Sequence, residues 1–389
     1  MPSLLPVYKR AEFVLDRGEG SWLFDKSGRR WLDFASGIAV CGLGHCHPHL
    51  VKALQEQGSK LWHVSNLYRN EPLERLADRL VASSFGDTVF VCNSGAEAVE
   101  GCIKMARRFH WANGRPERNR IVTFEGAFHG RTMAGISAVG GAKMVDGFAP
   151  LLDGFDRVPF GDHDALRAAV TERTAAIMIE PIQGEGGIRP VPPQCLRGLR
   201  ELCDEHGILL VFDEIQCGLG RTGRMFAHEW AGVTPDIMGL AKGLGGGFPI
   251  GAVVANARAA SGMTLGTHGS TFGGNPLACA VANAVLDVML ADGFLDTVRQ
   301  KGAYLRQRLD ALAAQRPDAI ALVRGMGLIQ GVKTVEPNTE VVARLNEAGL
   351  LCPGASDNVV RMLPPLTVSE AEIDIAVDTL AAALPARAA

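Results

Sequence analysis

The sequence is short of several things, and each shortage closes off a class of explanation. No apolar run approaches the roughly 20 residues that cross a bilayer as a helix, so no membrane-spanning helix is expected. No block of basic residues occurs, and the formal net charge is -3. Neither nucleic acid nor an anionic membrane surface is therefore an expected partner. The nine cysteines are odd in number and irregularly spaced. That argues against a disulfide framework and for reduced thiols in a cytoplasmic protein. Most of them sit among apolar neighbours, as small core residues do. The opening stretch MPSLLPVYKRAEFVLDRGEG is too polar for a signal peptide. His45-Cys46-His47 has the chemistry of metal ligands, but no second cluster follows at a ligand spacing. A turn closed by Pro48, opening a helix near His49, is the simpler reading, and no metal is expected. Internal repeats and low-complexity linkers are also missing.

What is present is the composition of a globular protein: 389 residues, 47% hydrophobic and 21% charged. That length allows one large domain and a smaller one. Trp22 to Asp25 and Arg30 to Phe34 flank Ser27-Gly28, a hairpin signal, and Gly37 to Gly44 is a glycine-spaced loop. Helical periodicity follows in Leu50, Ala53, Leu54 and again in Leu73, Leu76, Ala77, Leu80. Apolar runs ending near Cys92, Phe124, Ile179, Phe212 and Ala241 then read as inner strands. Each runs into a loop of polar and glycine residues, with helical stretches between most of them. This is an α/β rhythm, and ligands in such sheets bind outside the carboxyl ends of the strands.

Those strand ends would deliver Ser94, Phe128, Glu185, Asp213 and Lys242 to one crevice. Ser94 and Glu97 have capping-box spacing at the start of a helix reaching about Trp111. A helix start suits a phosphate, although a plain capped helix is the alternative. Phe128 could stack on an aromatic ligand and Arg131 could take a carboxylate; ordinary loop packing is the alternative for both. Ser270 and Thr271, in HGSTFGGNP, can donate to phosphate or carboxylate oxygens. Asp213 ends the run Ile208 to Phe212, and Lys242 ends Ile237 to Ala241 and meets GLGGG. An Asp to hold a pyridinium nitrogen and a Lys to form a Schiff base are the two protein groups that pyridoxal phosphate chemistry requires. A salt bridge at a sheet edge is the alternative. From about Leu295 the chain reads as a small α+β unit: a helix to Gln315, strands at 319–323 and 328–332 around the turn 324–327, a helix near 340–348, a strand at 359–362 and a last helix from Ser369. Arg361 is charged inside a strand there and so invites a partner. Residues 386–389 are expected to fray.

The chain from about Pro6 to Leu384 resembles the subgroup III (ornithine-type) aminotransferases of the fold-type I pyridoxal phosphate enzymes. The motifs run in order: GIAV at Gly37, GHCHPHL at Gly44, LWHVSNLY at Leu61, CNSGAEA at Cys92, FEGAFHGRT at Phe124. They continue with EPIQGEGG at Glu180, VFDEIQCGLGRTG at Val211, AKGLGGGFPIGA at Ala241 and HGSTFGGNPLA at His268. Two departures stand out. Val99 occupies a position where the family commonly has Asn, and Cys41-Gly42 stand where it has Asn-Ala. Ile38 replaces a Tyr in which ornithine δ-aminotransferases resemble one another, which favours an acylated substrate.

The resemblance implies a large domain with a mostly parallel seven-stranded sheet plus a small α+β domain. It implies a division into an N-terminal segment 1–50, a pyridoxal phosphate-binding domain 51–282 and a C-terminal domain 283–389. The implied reaction is transfer of the ω-amine of N2-acetyl-L-ornithine to 2-oxoglutarate, giving glutamate and the semialdehyde in arginine synthesis. Succinylornithine, ornithine and 4-aminobutyrate are alternative donors, and a non-catalytic cofactor binder is an alternative of another class. Lys242 is implied to bind the cofactor covalently and to move protons, and Asp213 to keep its ring nitrogen protonated. Gln216 is implied to bond its phenolic oxygen and Phe128 to stack on it. Ser94, Gly95 and Ala96 are implied to hold its phosphate, together with Thr271 from a partner subunit of a homodimer. Glu214 is expected among the cofactor contacts. Arg131 is implied to take the substrate's far carboxylate, with Ser270 beside it. Glu185 is implied to cover Arg361 when an ω-amine enters and to release it to glutamate's α-carboxylate.

Overall fold

The structure, a computed structural model, describes residues 3–386, apart from the side chains of Ala142 and Lys143. The expected fraying therefore lies, from Arg387 onward, outside the described residues. A seven-stranded sheet forms the centre, in the order 88–92, 251–255, 237–240, 209–213, 174–179, 120–124, 155–158. Strands 120–124, 155–158, 174–179, 209–213 and 237–240 pair in parallel. Gly251–Ala255 runs antiparallel to both of its neighbours. Every residue of Thr174–Ile179 and Leu209–Asp213 is buried, because helices cover both faces of the sheet. Alternate side chains along a strand point to opposite faces, and the cores divide accordingly. Met178 and Val211 pack with Val99, Ile103 and Ala106 of helix Gly95–Ala112. Ile177, Leu210 and Phe212 pack with Leu196, Leu199 and Leu202 of helix Pro193–His206.

Two strands escape a reading of the sequence. Phe155–Val158 is an edge strand of four residues that carries Asp156 and Arg157 at its centre. Gly251–Ala255 follows a glycine-rich stretch that reads as one long loop. A side chain at Gly251 would put its Cβ 2.4 Å from the Ser94 carbonyl oxygen. Glycine there lets the strand pass directly beneath the start of helix Gly95–Ala112.

The first 50 residues share a sheet with the far end of the chain. Trp22–Asp25 and Arg30–Asp33 form the expected hairpin, and Arg30–Asp33 pairs in parallel with Leu350–Leu351. Helices Phe294–Gln315, Asn338–Glu347 and Glu370–Ala383 accompany a four-stranded antiparallel sheet of 320–326, 329–334, 359–362 and 354–355. The turn expected at 324–327 is mostly strand, since pairing continues to Met326 opposite Ile329. A division at 282/283 cuts helix Pro276–Met289, which packs on 48–58 and 71–82. A short connection at 290–293 follows that helix and leads into helix Phe294–Gln315. No single helix among the described residues is long and apolar enough to cross a membrane. The helix pair 276–289 and 294–315 reaches that composition only together, across a 73° bend.

Asp33 and His45 lock the entry of the chain. Asp33 is buried, and its carboxylate accepts the N–H groups of Ala35 and Ser36 and lies 2.7 Å from His45 Nε2. The bond to Asp33 is the largest cause that raises the imidazole, with the Cys41 side chain second, to about 10. A raised folded-state value stabilises the fold fully below the unfolded value of about 6.5 and is lost as pH climbs through the folded one. Wild-type stability is therefore expected to fall by about 1–3 kcal/mol between pH 7 and pH 10 through this pair. His45→Gln is expected to flatten that part of the curve. Urea midpoints at several pH values check this, and parallel curves for the two proteins would refute it.

Candidate active site

The carboxyl ends of the central strands open onto a cavity of about 460 Å3. Its wall includes Ser94, Gly95, Ala96, Phe128, Arg131, Glu180, Asp213, Gln216 and Lys242. Five separate strand ends supply them. Strand Thr88–Cys92 leads through Asn93 into helix Gly95–Ala112, whose N-cap is Ser94. The Ser94 hydroxyl accepts the Glu97 N–H at 3.2 Å. Glu97 does not reach back to Ser94, as a capping box requires. Its carboxylate takes the Asn93 N–H at 2.6 Å and the Asn93 side-chain amide. Gly95 and Ala96, the first residues of the helix, line the cavity, and a helix start suits an anion. A Cβ on Gly95 would stand 3.0 Å from Ile215 Cδ1, so a larger residue would narrow that cradle.

Asp213 is the last residue of strand Leu209–Asp213 and is 5% exposed. One carboxylate oxygen lies 2.8 Å from His129 Nδ1, and the other accepts the Ile215 N–H. His129 is fully buried; burial alone would lower its pKa, but the hydrogen bond to Asp213 and the charges of Asp213 and Glu180 raise it. Its Nε2 has no partner. Lys242 follows strand Ile237–Leu240 after one residue and has φ 46. A non-glycine residue in that region carries strain on the order of 1–3 kcal/mol. Burial lowers the pKa of its ammonium, Glu185, Asp213 and Glu180 oppose that, and Arg361 adds to it. The amine is thus held closer to its neutral, nucleophilic form than a surface lysine.

Phe128 lies half-buried in the cavity wall. The Arg131 guanidinium stands 5.3 Å from its ring centroid, exposed and paired with no carboxylate among the described residues. Behind Gln216, Arg361 is 2% exposed and makes two bonds to Glu185, at 2.5 and 3.2 Å. Arg361 also donates to the Gln216 side-chain oxygen at 3.4 Å and to the Gly354 carbonyl. The pair sits outside the cavity wall proper and reaches it through Gln216.

Three expected residues do not line this chain's cavity, one of them, Thr271, expected there only from a partner subunit. Glu214 faces away from the cavity; its carboxylate accepts the N–H groups of Ala227 and His228 and contacts His228 Nδ1, so it anchors the 227–231 turn. Its carboxylate thus serves the turn, and Glu214 does not line the cavity. Ser270 does not line the cavity either, because its hydroxyl bonds the Gly273 N–H and the Asn93 side chain. Thr271 is exposed on the same loop. Two residues were missed: His129, behind Asp213, and Glu180. Burial pushes the Glu180 carboxyl up to about 7, with Asp213 adding to it. The signal for His129 was an imidazole between glycines in a loop after a strand. The signal for Glu180 was a carboxylate directly after an all-apolar strand.

A helix start, a buried carboxylate paired with an imidazole, an aromatic wall and a half-buried lysine together fit pyridoxal phosphate. The phosphate, the ring nitrogen, the ring face and the aldehyde carbon each find a group of suitable chemistry. Among the described residues, His129 Nε2 is a buried polar atom with no hydrogen-bond partner, and Arg131 has no carboxylate partner. Among the described residues, no group of three His, Cys, Asp or Glu could hold a metal ion.

Comparison with known proteins agrees with this chemistry. The family model described as aminotransferase class-III matches residues 6–384. The acetylornithine aminotransferase of Mesorhizobium japonicum is 58% identical, over 98% of this chain and 95% of its own. That of Rhodobacter capsulatus is also 58% identical, over 98% and 97%. Among solved structures, the ornithine aminotransferase of Toxoplasma gondii superposes with a TM-score of 0.94 at 33% identity, covering 98% of this chain and 92% of its own. N-acetylornithine aminotransferase from Stenotrophomonas maltophilia gives 0.84 at 40% identity, covering 96% of each. With a match over nearly its whole length and a cavity of the matching chemistry, this chain belongs to the class-III aminotransferases, a pyridoxal phosphate-dependent family.

Proposed function

We propose that the protein moves the ω-amine of N2-acetyl-L-ornithine to 2-oxoglutarate, serving arginine biosynthesis in the cytoplasm. The convergence of Lys242, Asp213 and Phe128 on one cavity with the unpaired Arg131 at its edge carries this reading. The names of the relatives above supply the acyl group. Pyridoxal phosphate, when bound, supplies an electron sink for the carbon that bears the amine.

The chain's own residues do the rest. Lys242 would carry a proton from the substrate carbon that bears the amine to the bound cofactor, a task suited to an amine whose charge is disfavoured by burial. Asp213, oriented by His129, holds positive charge at the ring nitrogen. Phe128 holds the ring face, and Ser94 with the N–H groups of Gly95 and Ala96 holds the phosphate. The Gln216 amide nitrogen has no partner among the described residues and is free for the phenolic oxygen. Arg131 grips the far carboxylate bidentately. Glu185 covers Arg361 while a terminal amine is bound, because a bare guanidinium beside an uncharged chain would be desolvated at a cost. It releases Arg361 when glutamate brings an α-carboxylate.

The active unit is proposed to be a homodimer. Asn66 donates to the carbonyls of Ser270 and Gly273. It thereby joins the segment with exposed Trp62, Leu67 and Tyr68 to the loop with exposed Phe272. This apolar face carries the exposed Thr271, which is proposed to reach a partner's cavity. Full activity in a protein of monomeric mass, measured by light scattering, would refute it.

The substrate is tested by a single-turnover panel. Acetylornithine, succinylornithine, ornithine and 4-aminobutyrate are mixed separately with the holoenzyme, following the visible absorbance of the bound cofactor. Fast bleaching by acetylornithine, restored by 2-oxoglutarate, is expected. Bleaching by ornithine or 4-aminobutyrate alone would overturn the assigned donor and leave the chemistry intact.

A further inference from the structure

Glu180 has no part in the steps above, yet it is buried in the cavity wall at 4% exposure. Its two oxygens go to two different loops. One accepts the Phe128 N–H at 2.9 Å, and the other accepts the Gly184 N–H at 3.1 Å. Phe128 is the aromatic wall. Gly184 immediately precedes Glu185, the residue over Arg361. We propose that Glu180 is a positioning residue that ties the Phe128 loop to the Glu185 turn, and that taking up a proton loosens the cover over Arg361.

The turn is held at several points, among them Arg324, which donates to the Gly187 carbonyl at 2.7 Å. Ile182–Gln183 pairs antiparallel with Arg189–Pro190, so residues 184–188 form the end of a small hairpin. The Gln183 side chain donates to the Glu125 carbonyl at 3.0 Å. The Glu185 carbonyl accepts the Ser356 N–H at 3.0 Å. Of these ties, the one at Glu180 alone changes with a proton. An ionised carboxylate accepts on both oxygens. A neutral carboxyl presents an O–H on one of them, and that group meets an N–H donor instead of accepting from it. One of the two ties is then lost. The ionisable groups facing Glu180 are Asp213, His129, Lys242 and Cys217. Burial and the Asp213 charge place the change near neutral pH, with a value of about 7. Below that value the carboxyl is neutral and the turn is looser, so Arg361 is more often uncovered. Above it both loops are held and Arg361 is covered.

The substrate side of this inference rests on the function proposed above, so its test has a readout that needs no substrate. Hydrogen exchange is measured on the holoenzyme between pH 6 and pH 8, corrected for intrinsic rates, in peptides spanning 125–130 and 180–188. Wild type is expected to lose about tenfold in protection of the second peptide on going from pH 8 to pH 6. Glu180→Gln, which has one accepting oxygen at every pH, is expected to show the looser value throughout. Single turnovers are followed in parallel with glutamate and with acetylornithine. In wild type, falling pH is expected to lower the glutamate KM relative to that of acetylornithine, and in Glu180→Gln the ratio is expected not to move. Protection that is flat with pH in wild type, or an unchanged pH step in Glu180→Gln, would overturn the proposal. If Glu180→Gln does not fold, the wild-type exchange profile decides alone. Failure of acetylornithine to react, with the exchange result intact, would count against the assigned substrate and not against the tether.

Discussion

Lys242→Ala is expected to lose the visible absorbance of the lysine-bound cofactor and to lower kcat by on the order of 10^4 or more, the range seen when a residue acting as both covalent partner and proton carrier is removed. The variant is expected to fold. Lys242 makes no ion pair among the described residues, and its φ of 46 is a strained position that the fold maintains around it. Shortening the side chain also removes a buried amine that the surroundings disfavour in its charged form. The change should therefore separate chemistry from stability: Tm within a few degrees of wild type, turnover near zero. Externally added methylamine should restore a small part of the rate, because it replaces the amine but not its tether. A normal absorbance band in Lys242→Ala would refute the assignment.

Asp213→Ala is expected to affect both activity and stability. For activity, the loss of a fixed negative charge at the ring nitrogen should lower kcat by about 10^3, in line with removal of one preorganised electrostatic group. For stability, Asp213 is the counter-charge of His129, and both are buried. Removing one partner of a buried pair costs about 3–5 kcal/mol when the other must stay charged. His129 can shed its proton, so about 2–4 kcal/mol is expected. The sign with pH follows from the raised pKa of His129. Its share of the pair's stabilisation is complete below the unfolded value of about 6.5 and declines as pH rises. The gap between wild type and Asp213→Ala should thus be widest near pH 6 and narrower at pH 9. Urea midpoints at the two pH values check this, and a gap that widens with pH would contradict it.

The strand ends were legible because a sheet covered on both faces needs runs without charge, and the first polar residue after each run marks where cover stops. Asp213 and Lys242 stand at two such points, so local pattern alone found the pair that matters most. Arg361 was legible for the same reason, as a charge inside a strand. The pairings were not. Glu97 was expected to close a capping box on Ser94, but its carboxylate turns to Asn93. Glu214 is adjacent to Asp213 in sequence, but neighbours on a chain leaving a strand point opposite ways, and its carboxylate meets His228 instead of the cavity. Ser270 was expected beside Arg131 and bonds Asn93.

The sequence by itself determined the α/β rhythm, the strand ends and the residue types that converge there, since these follow from which short segments can be buried without an unpaired charge. Only the tertiary structure decided which carboxylates are paired and which are pushed toward neutrality. Asp213 and His129 lie 84 residues apart in the chain, and Arg361 and Glu185 lie 176 apart. Burial and hydrogen bonding, the causes of a shifted proton affinity, come from neighbours brought together by packing. No local pattern records them, and Glu180, set by its fold neighbours Asp213, Phe128 and Gly184, owes its place in the site entirely to that packing.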